Sequence, residues 1–383
     1  YLFFALELKK GHYTRTQLSD ITREINRLFT MPVLILFKQD GFLTLAVIDR
    51  RINKKDSGKD VLQKVTLIKD IRIENPHRAH IEILHDLSFG QITGKDKTSP
   101  RNFVELHDAW QKTLDIQTLN RRFFIEIRNW FYWARLNARF PEGAVKDADG
   151  RDSEALIRLL TRMIFCWFLR EKGLLPDSLF SASNIGSLLH DWSRKDCDKD
   201  KAGRYYKAIL QNLFFATLST PVEERKFRTT RSDKGKNPHY GEQQYFRHIS
   251  LFSEKAPIED LYKTIPFLNG GLFENLDEIP GRDPDVEKEL RIDGFSDVAS
   301  KQPLVPDFLF FGAERPIPEL ATVLSETSAP KARGLLDIFR DYKFTIEENT
   351  PLEEDIALDP ELLGRAFENL LAAFNPETGM VAR

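Results

Sequence analysis

The sequence predicts an α+β protein of more than one domain, in which a small α/β part comes first and a mostly helical part follows. Residues 3–51 alternate between strand and helix patterns, whereas residues 116–217 carry apolar residues at helical spacing. The segment 90–100 between them is polar and rich in turn-forming residues. A chain of 383 residues is long enough for two or three domains.

The first predicted strand begins at Phe3 and carries Glu7 and Lys9 near its end. Because side chains on a strand alternate between its faces, Glu7 and Lys9 share one face, while Leu6 and Leu8 point toward a core. A carboxylate beside an ammonium group suits metal-assisted hydrolysis of a phosphodiester, with Glu7 as metal ligand and Lys9 stabilising negative charge. A Glu-x-Lys triplet also occurs by chance on solvated surfaces, so the structural setting decides between these interpretations.

The next elements supply that setting. We expect a helix over 18–29, a buried strand over 33–37, a turn at 39–41, a strand over 42–48 and a further strand over 65–73 at the sheet edge. The helix follows from apolar residues at three- and four-residue steps. The buried strand follows from a continuous apolar run, which is typical of a strand covered on both faces.

The first domain is predicted to end at residue 92, before the polar linker. Residues 93–345 then form a mostly α-helical connector domain, and residues 346–383 form a linker helix. Within the connector, Ser153 is expected to cap a long buried helix, and residues 203–217 to form another.

Later segments of the chain give further local predictions. Residues 269–271, Asn-Gly-Gly, indicate a structural turn, since a phosphate-binding loop would need more glycines and a following Lys-Ser/Thr pair. Residues 303–312 are expected to form a short apolar strand or core segment, and a helix is expected to start at Gly334. Asp359 is predicted to cap the final helix, with Pro360 in its first position.

Candidate DNA contacts lie among the arginines and lysines of the connector. The predicted phosphate contacts are Arg135, Arg139, Arg225, Lys226 and Arg228. The first two lie among aromatic residues of a predicted helix, which stack on bases in some proteins but more often form core. The last three lie in a segment, 219–248, with seven basic and four acidic side chains, for which a solvated loop is the alternative.

Composition and charge limit the kinds of binding site and the kinds of protein that this chain can represent. The formal net charge is −2, so any DNA-binding surface must come from local clustering of basic residues. Two cysteines, Cys166 and Cys197, exclude a disulfide framework and a zinc site of four cysteines, and fit a reducing cytoplasm. The sequence has no apolar run long enough for a membrane span. The histidines at 77, 80 and 85 match no strong metal-binding spacing.

The order of strand with Glu-x-Lys, helix, buried strand and hairpin strand resembles the second half of the PD-(D/E)xK nuclease core. Together with residues 267–273 and 358–371, the chain resembles the N-terminal part of a fused type IIG restriction–modification enzyme, of BREX or restriction type. In that family a nuclease domain and a helical connector precede an N6-adenine DNA methyltransferase. The resemblance covers essentially the whole chain.

The resemblance implies a nuclease that binds Mg²⁺ through Glu7 and uses Lys9 at the scissile phosphate of foreign double-stranded DNA, in a prokaryotic cytoplasm. S-adenosylmethionine would serve a methyltransferase domain that, with a target-recognition domain, lies beyond this chain. The chain itself carries no motif for that cofactor. The PD-(D/E)xK fold normally supplies another acid from a strand upstream of Glu7, whereas this chain starts at Tyr1, inside the fold. A non-cleaving scaffold that holds the connector and methyltransferase on DNA, or a defence methyltransferase without cutting activity, is the alternative.

Overall fold

A computed structural model gives the fold of the chain. It describes residues 2–9, 11–29, 33–52, 60–93, 99–114, 116–141, 147–199, 203–225, 245–253, 258–268, 270–278, 286–345, 353–355 and 357–358. The chain divides into two compact units, one of residues 1–125 and 339–369 and one of residues 126–338 and 370–383. The architecture is mixed α+β, as expected, and the first unit takes up more of the chain than the predicted domain of residues 1–92.

The strands and helices have the following bounds. The strands are β1 (Leu2–Glu7), β2 (Val33–Gln39), β3 (Phe42–Ile52), β4 (Asp60–Arg72), β5 (Arg315–Pro316), β6 (Lys331–Ala332) and β7 (Glu353–Asp355). The α-helices are α1 (Arg15–Arg27), α2 (Arg78–Asp86), α3 (Phe89–Ile92), α4 (Phe103–Thr113), α5 (Ile116–Asn137), α6 (Ala148–Glu171), α7 (Ala182–Leu188), α8 (Ile258–Lys263), α9 (Phe308–Phe311), α10 (Pro318–Leu324) and α11 (Leu335–Asp341).

The first unit is built on a mixed sheet whose described strands lie in the order β1-β2-β3-β4-β7. β1 runs parallel to β2, and α1 forms the connection between them. β3 is antiparallel to both β2 and β4, and β7 is parallel to β4. A parallel pair needs such a crossover, because the chain must return to the same end of the sheet.

The core of this sheet lies between α1 and one face of the strands. Val33, Ile35 and Phe37 of β2 are buried there together with Leu18 of α1, and Leu6 of β1 packs against the same cluster. The predicted helix, the buried strand and the strand that begins at Phe42 are therefore confirmed.

The predicted position of the strand over 65–73 is wrong in one respect. β4 starts earlier, and it lies between β3 and β7 instead of at the sheet edge. Residues 65–67 of β4 pair with β7, a short segment almost 290 positions later in the chain. Sequence periodicity shows that a segment is a strand, but a partner so distant in sequence leaves no local signal.

The second unit is largely helical and rich in buried aromatic side chains. Trp130 and Phe131 of α5 are buried, so the core interpretation of this helix's aromatic residues is confirmed for them. The predicted cap of the following helix is wrong. α6 begins at Ala148 with Asp147 as its N-cap, and Ser153 lies inside the helix, where its hydroxyl donates to the carbonyl of Asp149.

The predicted helix over 203–217 exists, but two parts of it are π-helical. These parts are Tyr205–Gln211 and Phe214–Leu218, separated by a short α-helical stretch. The hydroxyl of Thr217 donates to the carbonyl of Asn212, five positions earlier, which matches the wider turn. Apolar spacing alone does not separate the two helix types, because both bury one broad face.

Shorter segments follow the predictions in part. The Asn-Gly-Gly segment leads into a 3₁₀ turn, Gly271–Phe273, and α11 begins directly after Gly334. The expected strand or core segment over 303–312 is core, but its regular part is the helical turn α9. The predicted final helix at 359–371 lies outside the described residues, as do residues 226–244 of the polar segment 219–248. The predicted linker helix over 346–383 is wrong where the structure describes it, because Glu353–Asp355 form strand β7 beside β4.

Candidate active site

The two residues predicted from the sequence lie at the carboxyl end of β1. β1 ends at Glu7, but partly buried and exposed side chains alternate along it and through the next two residues. Leu6 and Leu8 pack against the core, whereas Glu7 and Lys9 are exposed. The predicted sharing of one face by Glu7 and Lys9 is therefore confirmed. In the parallel part of α/β sheets, ligands bind at the carboxyl ends of the strands, which is where these side chains stand.

A third charged residue that the sequence reasoning did not select lies beside them. Lys38, near the end of β2, is the register partner of Glu7 on β1. Its Nζ lies 3.4 Å from Oε1 of Glu7, and the two side chains are 58% and 78% exposed. The predicted strand–helix–strand unit contained the signal, because parallel pairing through a crossover brings the two strand ends together.

The backbone around this group of charges is held firmly. The N–H of Leu8 donates to the carbonyl of Lys38 at 2.9 Å, directly beside the Glu7–Lys38 pair. The helix that follows β1 starts with a capping box, in which the N–H of Gln17 donates to the hydroxyl of Thr14 and the N–H of Thr14 donates to the Gln17 side chain. The positions of the strand ends therefore follow from backbone and core contacts, without help from the exposed charges.

The donor set fits a magnesium ion in part. Within the described residues, no group of three or more His, Cys, Asp or Glu side chains is placed to hold a metal. Glu7 supplies one carboxylate. Mg²⁺ is commonly bound through one or two carboxylates, with water and substrate phosphate oxygens completing the octahedron. A single exposed carboxylate with lysines on the same face is therefore compatible with a cation that arrives together with a phosphate.

The predicted DNA contacts on α5 have different environments. The guanidinium of Arg135 donates to the carboxylate of Asp149 and lies over the ring of Tyr132, and its side chain is only 13% exposed. Arg139 is 58% exposed, and its guanidinium donates to the carbonyls of Arg135 and Ala138. Of the two, Arg139 presents more of its charge to solvent.

Arg225 is held by backbone carbonyls of the second unit. Its guanidinium donates to the carbonyl oxygens of Thr217, Thr220, Tyr262 and Ile265, at distances between 2.7 and 3.0 Å. Two of these carbonyls lie at the end of the π-helical segment Phe214–Leu218, and the other two lie in α8 and just after it. Arg225 therefore links the two segments, which is a stabilising role. Lys226 and Arg228, the other predicted contacts of that strip, lie outside the described residues.

The histidines after the first sheet form no described metal centre. His80 is buried in α2, His77 makes a 2.9 Å hydrogen bond with the carbonyl of Arg340, and the two rings meet edge to face. Burial, followed by the positive charges of Lys343 and His77, lowers the pKa of His80 to about 3. A neutral, enclosed imidazole of this kind is a core residue.

Similarity to a known protein supports a coarse functional class. Over 215 residues, 56% of the chain, the sequence is 25% identical to a protein of Methanocaldococcus jannaschii named "Putative type II restriction enzyme and methyltransferase". The aligned part makes up 12% of that protein, so the chain spans about an eighth of the relative's length. No family model matches the sequence, and no solved structure matches it. The similarity relates the chain to restriction–modification proteins.

The described part of the chain contains no candidate for a membrane-spanning helix. None of the helices there is both long enough and apolar enough to cross a bilayer.

Proposed function

We propose that this chain is the nuclease-like and connector part of a restriction–modification enzyme that cuts double-stranded DNA. Glu7 and Lys9 are its catalytic residues. Two observations support the proposal: the likeness to a protein named as a restriction enzyme and methyltransferase, and the exposure of Glu7 and Lys9 together at the end of the strand that precedes α1. The intact protein would also methylate adenine with S-adenosylmethionine, using domains beyond this chain, and would act on foreign DNA in a prokaryotic cytoplasm.

Each residue has a defined task in this proposal. The carboxylate of Glu7 would hold Mg²⁺, which would supply polarisation of the phosphate and activation of water. The ammonium group of Lys9 lies on the same face and stabilises the negative charge that develops on the phosphate. Arg139, the more exposed of the arginines on α5, contacts the DNA backbone without reading its sequence.

The observation that carries the proposal is the shared exposed face of Glu7 and Lys9 at the end of a strand in a β-α-β unit. The experiment is plasmid cleavage by the intact protein with Mg²⁺, for wild type, Glu7→Gln and Lys9→Met. We expect each substitution to slow cleavage by about 100-fold or more, since each removes a group that acts on the transition state.

A matched control is Lys331→Met, which removes an exposed lysine paired with Glu314 at 3.2 Å in the second unit. It should cleave like wild type. If Glu7→Gln and Lys9→Met also cleave like wild type, the nuclease assignment is wrong.

The second candidate is a non-cleaving scaffold that holds the methyltransferase on DNA. It is favoured by one observation: a 3.4 Å ion pair between two largely exposed side chains is also what an ordinary solvated strand end presents. On this reading the intact protein would bind and methylate DNA, and no combination of divalent cations would produce cleavage.

A further inference from the structure

Lys38 stands where it can serve the same site as Glu7. On β2 the alternation of side chains buries Phe37 in the core and puts Leu36 and Lys38 on the other face. The parallel register then places Lys38 directly beside Glu7, with Nζ 3.4 Å from Oε1. The amine is therefore brought to the carboxylate by the fold and not by a chance meeting of two flexible side chains.

The pair contributes little to the stability of the fold. Both side chains are largely exposed, and ion pairs in water are weak because solvent screens the charges and the side chains lose rotational freedom. The neighbouring backbone hydrogen bond from Leu8 to the carbonyl of Lys38 and the buried residues of β2 already fix the two strands. Breaking this pair therefore costs the fold little, so the amine of Lys38 can leave Glu7 for another partner.

We infer that Lys38 exchanges partners during DNA binding: it neutralises Glu7 while no divalent cation is bound, and it contacts a DNA phosphate once a cation occupies the carboxylate. The inference rests on the proposed function. Two positive charges within a few ångströms repel each other, so a cation on Glu7 displaces the ammonium group of Lys38. The flexible four-carbon stem of lysine lets the amine turn toward a phosphate that approaches the same cation.

The first test measures cation binding without activity. Mn²⁺ binding to the intact protein is followed by electron paramagnetic resonance for wild type, Lys38→Met, Glu7→Gln and Lys331→Met. Because Lys38 competes with the cation for Glu7, Lys38→Met should bind Mn²⁺ about two- to fivefold more tightly, the size of one exposed ion pair. Glu7→Gln should weaken binding about tenfold or more, and Lys331→Met should match wild type.

The second test measures DNA binding as a function of salt. Duplex DNA is titrated in Ca²⁺, which replaces Mg²⁺ at oxygen sites, and again in EDTA. In Ca²⁺ the slope of log affinity against log salt should be smaller by about one for Lys38→Met, because one phosphate contact is lost. In EDTA, where Lys38 stays on Glu7, the slopes of Lys38→Met and wild type should agree.

The outcomes separate the two proposals. If Lys38→Met matches Lys331→Met in Mn²⁺ affinity, or keeps the wild-type slope in Ca²⁺, the exchange of partners is wrong and the nuclease proposal stands. If Glu7→Gln binds Mn²⁺ as wild type does, Glu7 is not the metal ligand, and both proposals are wrong.

Discussion

Glu7 in the first unit and Asp277 in the second are both carboxylates near a basic side chain, but their surroundings differ completely. Asp277 is fully buried, and its two oxygens accept hydrogen bonds from the backbone N–H groups of residues 292–295 and from Arg291. The described contact of the Glu7 carboxylate is with Lys38 at 3.4 Å, and the Glu7 side chain is mostly exposed.

The difference separates structural carboxylates from candidate ligands. A carboxylate offers about four lone-pair positions, and the five donors at Asp277 occupy them. Asp277 therefore holds the loop in place and has no lone pair left to bind a cation. Glu7 keeps most of its capacity and is reached easily from solvent. A buried, fully bonded carboxylate contributes to stability, whereas an exposed one on a rigid strand end is available for ligand binding.

The largest expected effect comes from removing the buried carboxylate. Asp277→Ala removes the acceptor of four backbone N–H groups and one of the carboxylates that Arg291 contacts, so the free energy of unfolding should fall by about 3–5 kcal/mol. Urea denaturation followed by circular dichroism measures this change. Asp277→Asn, which retains one carbonyl oxygen and the side-chain shape, should lose less.

Glu7→Gln is the matched change at the exposed carboxylate, and the urea midpoint of this variant should equal that of wild type. If Asp277→Ala has the stability of wild type, or Glu7→Gln unfolds as early as Asp277→Ala, then burial and bonding do not distinguish the two classes of carboxylate in this protein.

The candidate site was predictable because its signals are local. Alternation along residues 3–9 fixes the face of Glu7 and Lys9, and apolar spacing over 18–29 identifies the crossover helix. Lys38 required one further step, the register of β1 against β2, which depends on how the crossover packs. That register is set by contacts between residues about 30 positions apart, so an amphipathic pattern alone does not give it.

The structural charges could not be found in the same way. Asp277 accepts from backbone groups 15 to 18 positions later, in a loop whose path requires a positive φ at Gly294. Arg162 reaches the carboxylate of Asp293 across 131 positions, and both side chains are buried. The sequence shows charged residues in these places, but only the tertiary fold makes them partners.

His80 differs from both Glu7 and Asp277, because it is a titratable group that is buried without hydrogen bonds to other described residues. Both of its ring nitrogens are enclosed and have no hydrogen-bond partner in the described part of the chain. Burial, with the positive charges of Lys343 and His77, lowers its pKa from 6.5 to about 3. Between pH 6.5 and 3, His80 is therefore protonated in the unfolded chain but neutral in the folded chain.

The stability that neutral His80 contributes is complete above pH 6.5 and is lost progressively below it. The slope is about 1.4 kcal/mol per pH unit well below the unfolded pKa, so about 2 kcal/mol should disappear between pH 6.5 and 4.5. Urea denaturation of wild type and His80→Gln over this range isolates the effect, because the carboxylates titrate in both. Parallel pH profiles for the two proteins would contradict the assignment.

The smallest expected effect decides between two interpretations of Arg225. Four backbone carbonyls accept from its guanidinium, so Arg225→Met should lower the free energy of unfolding by about 1–2 kcal/mol, while the salt dependence of DNA binding stays that of wild type. Arg139→Met is the matched comparison: its side chain is 58% exposed, so stability should change less and the slope of log affinity against log salt should fall by about one. If Arg225→Met instead lowers the salt slope and leaves stability unchanged, Arg225 contacts DNA. Its guanidinium would then exchange backbone carbonyls for a phosphate when DNA binds.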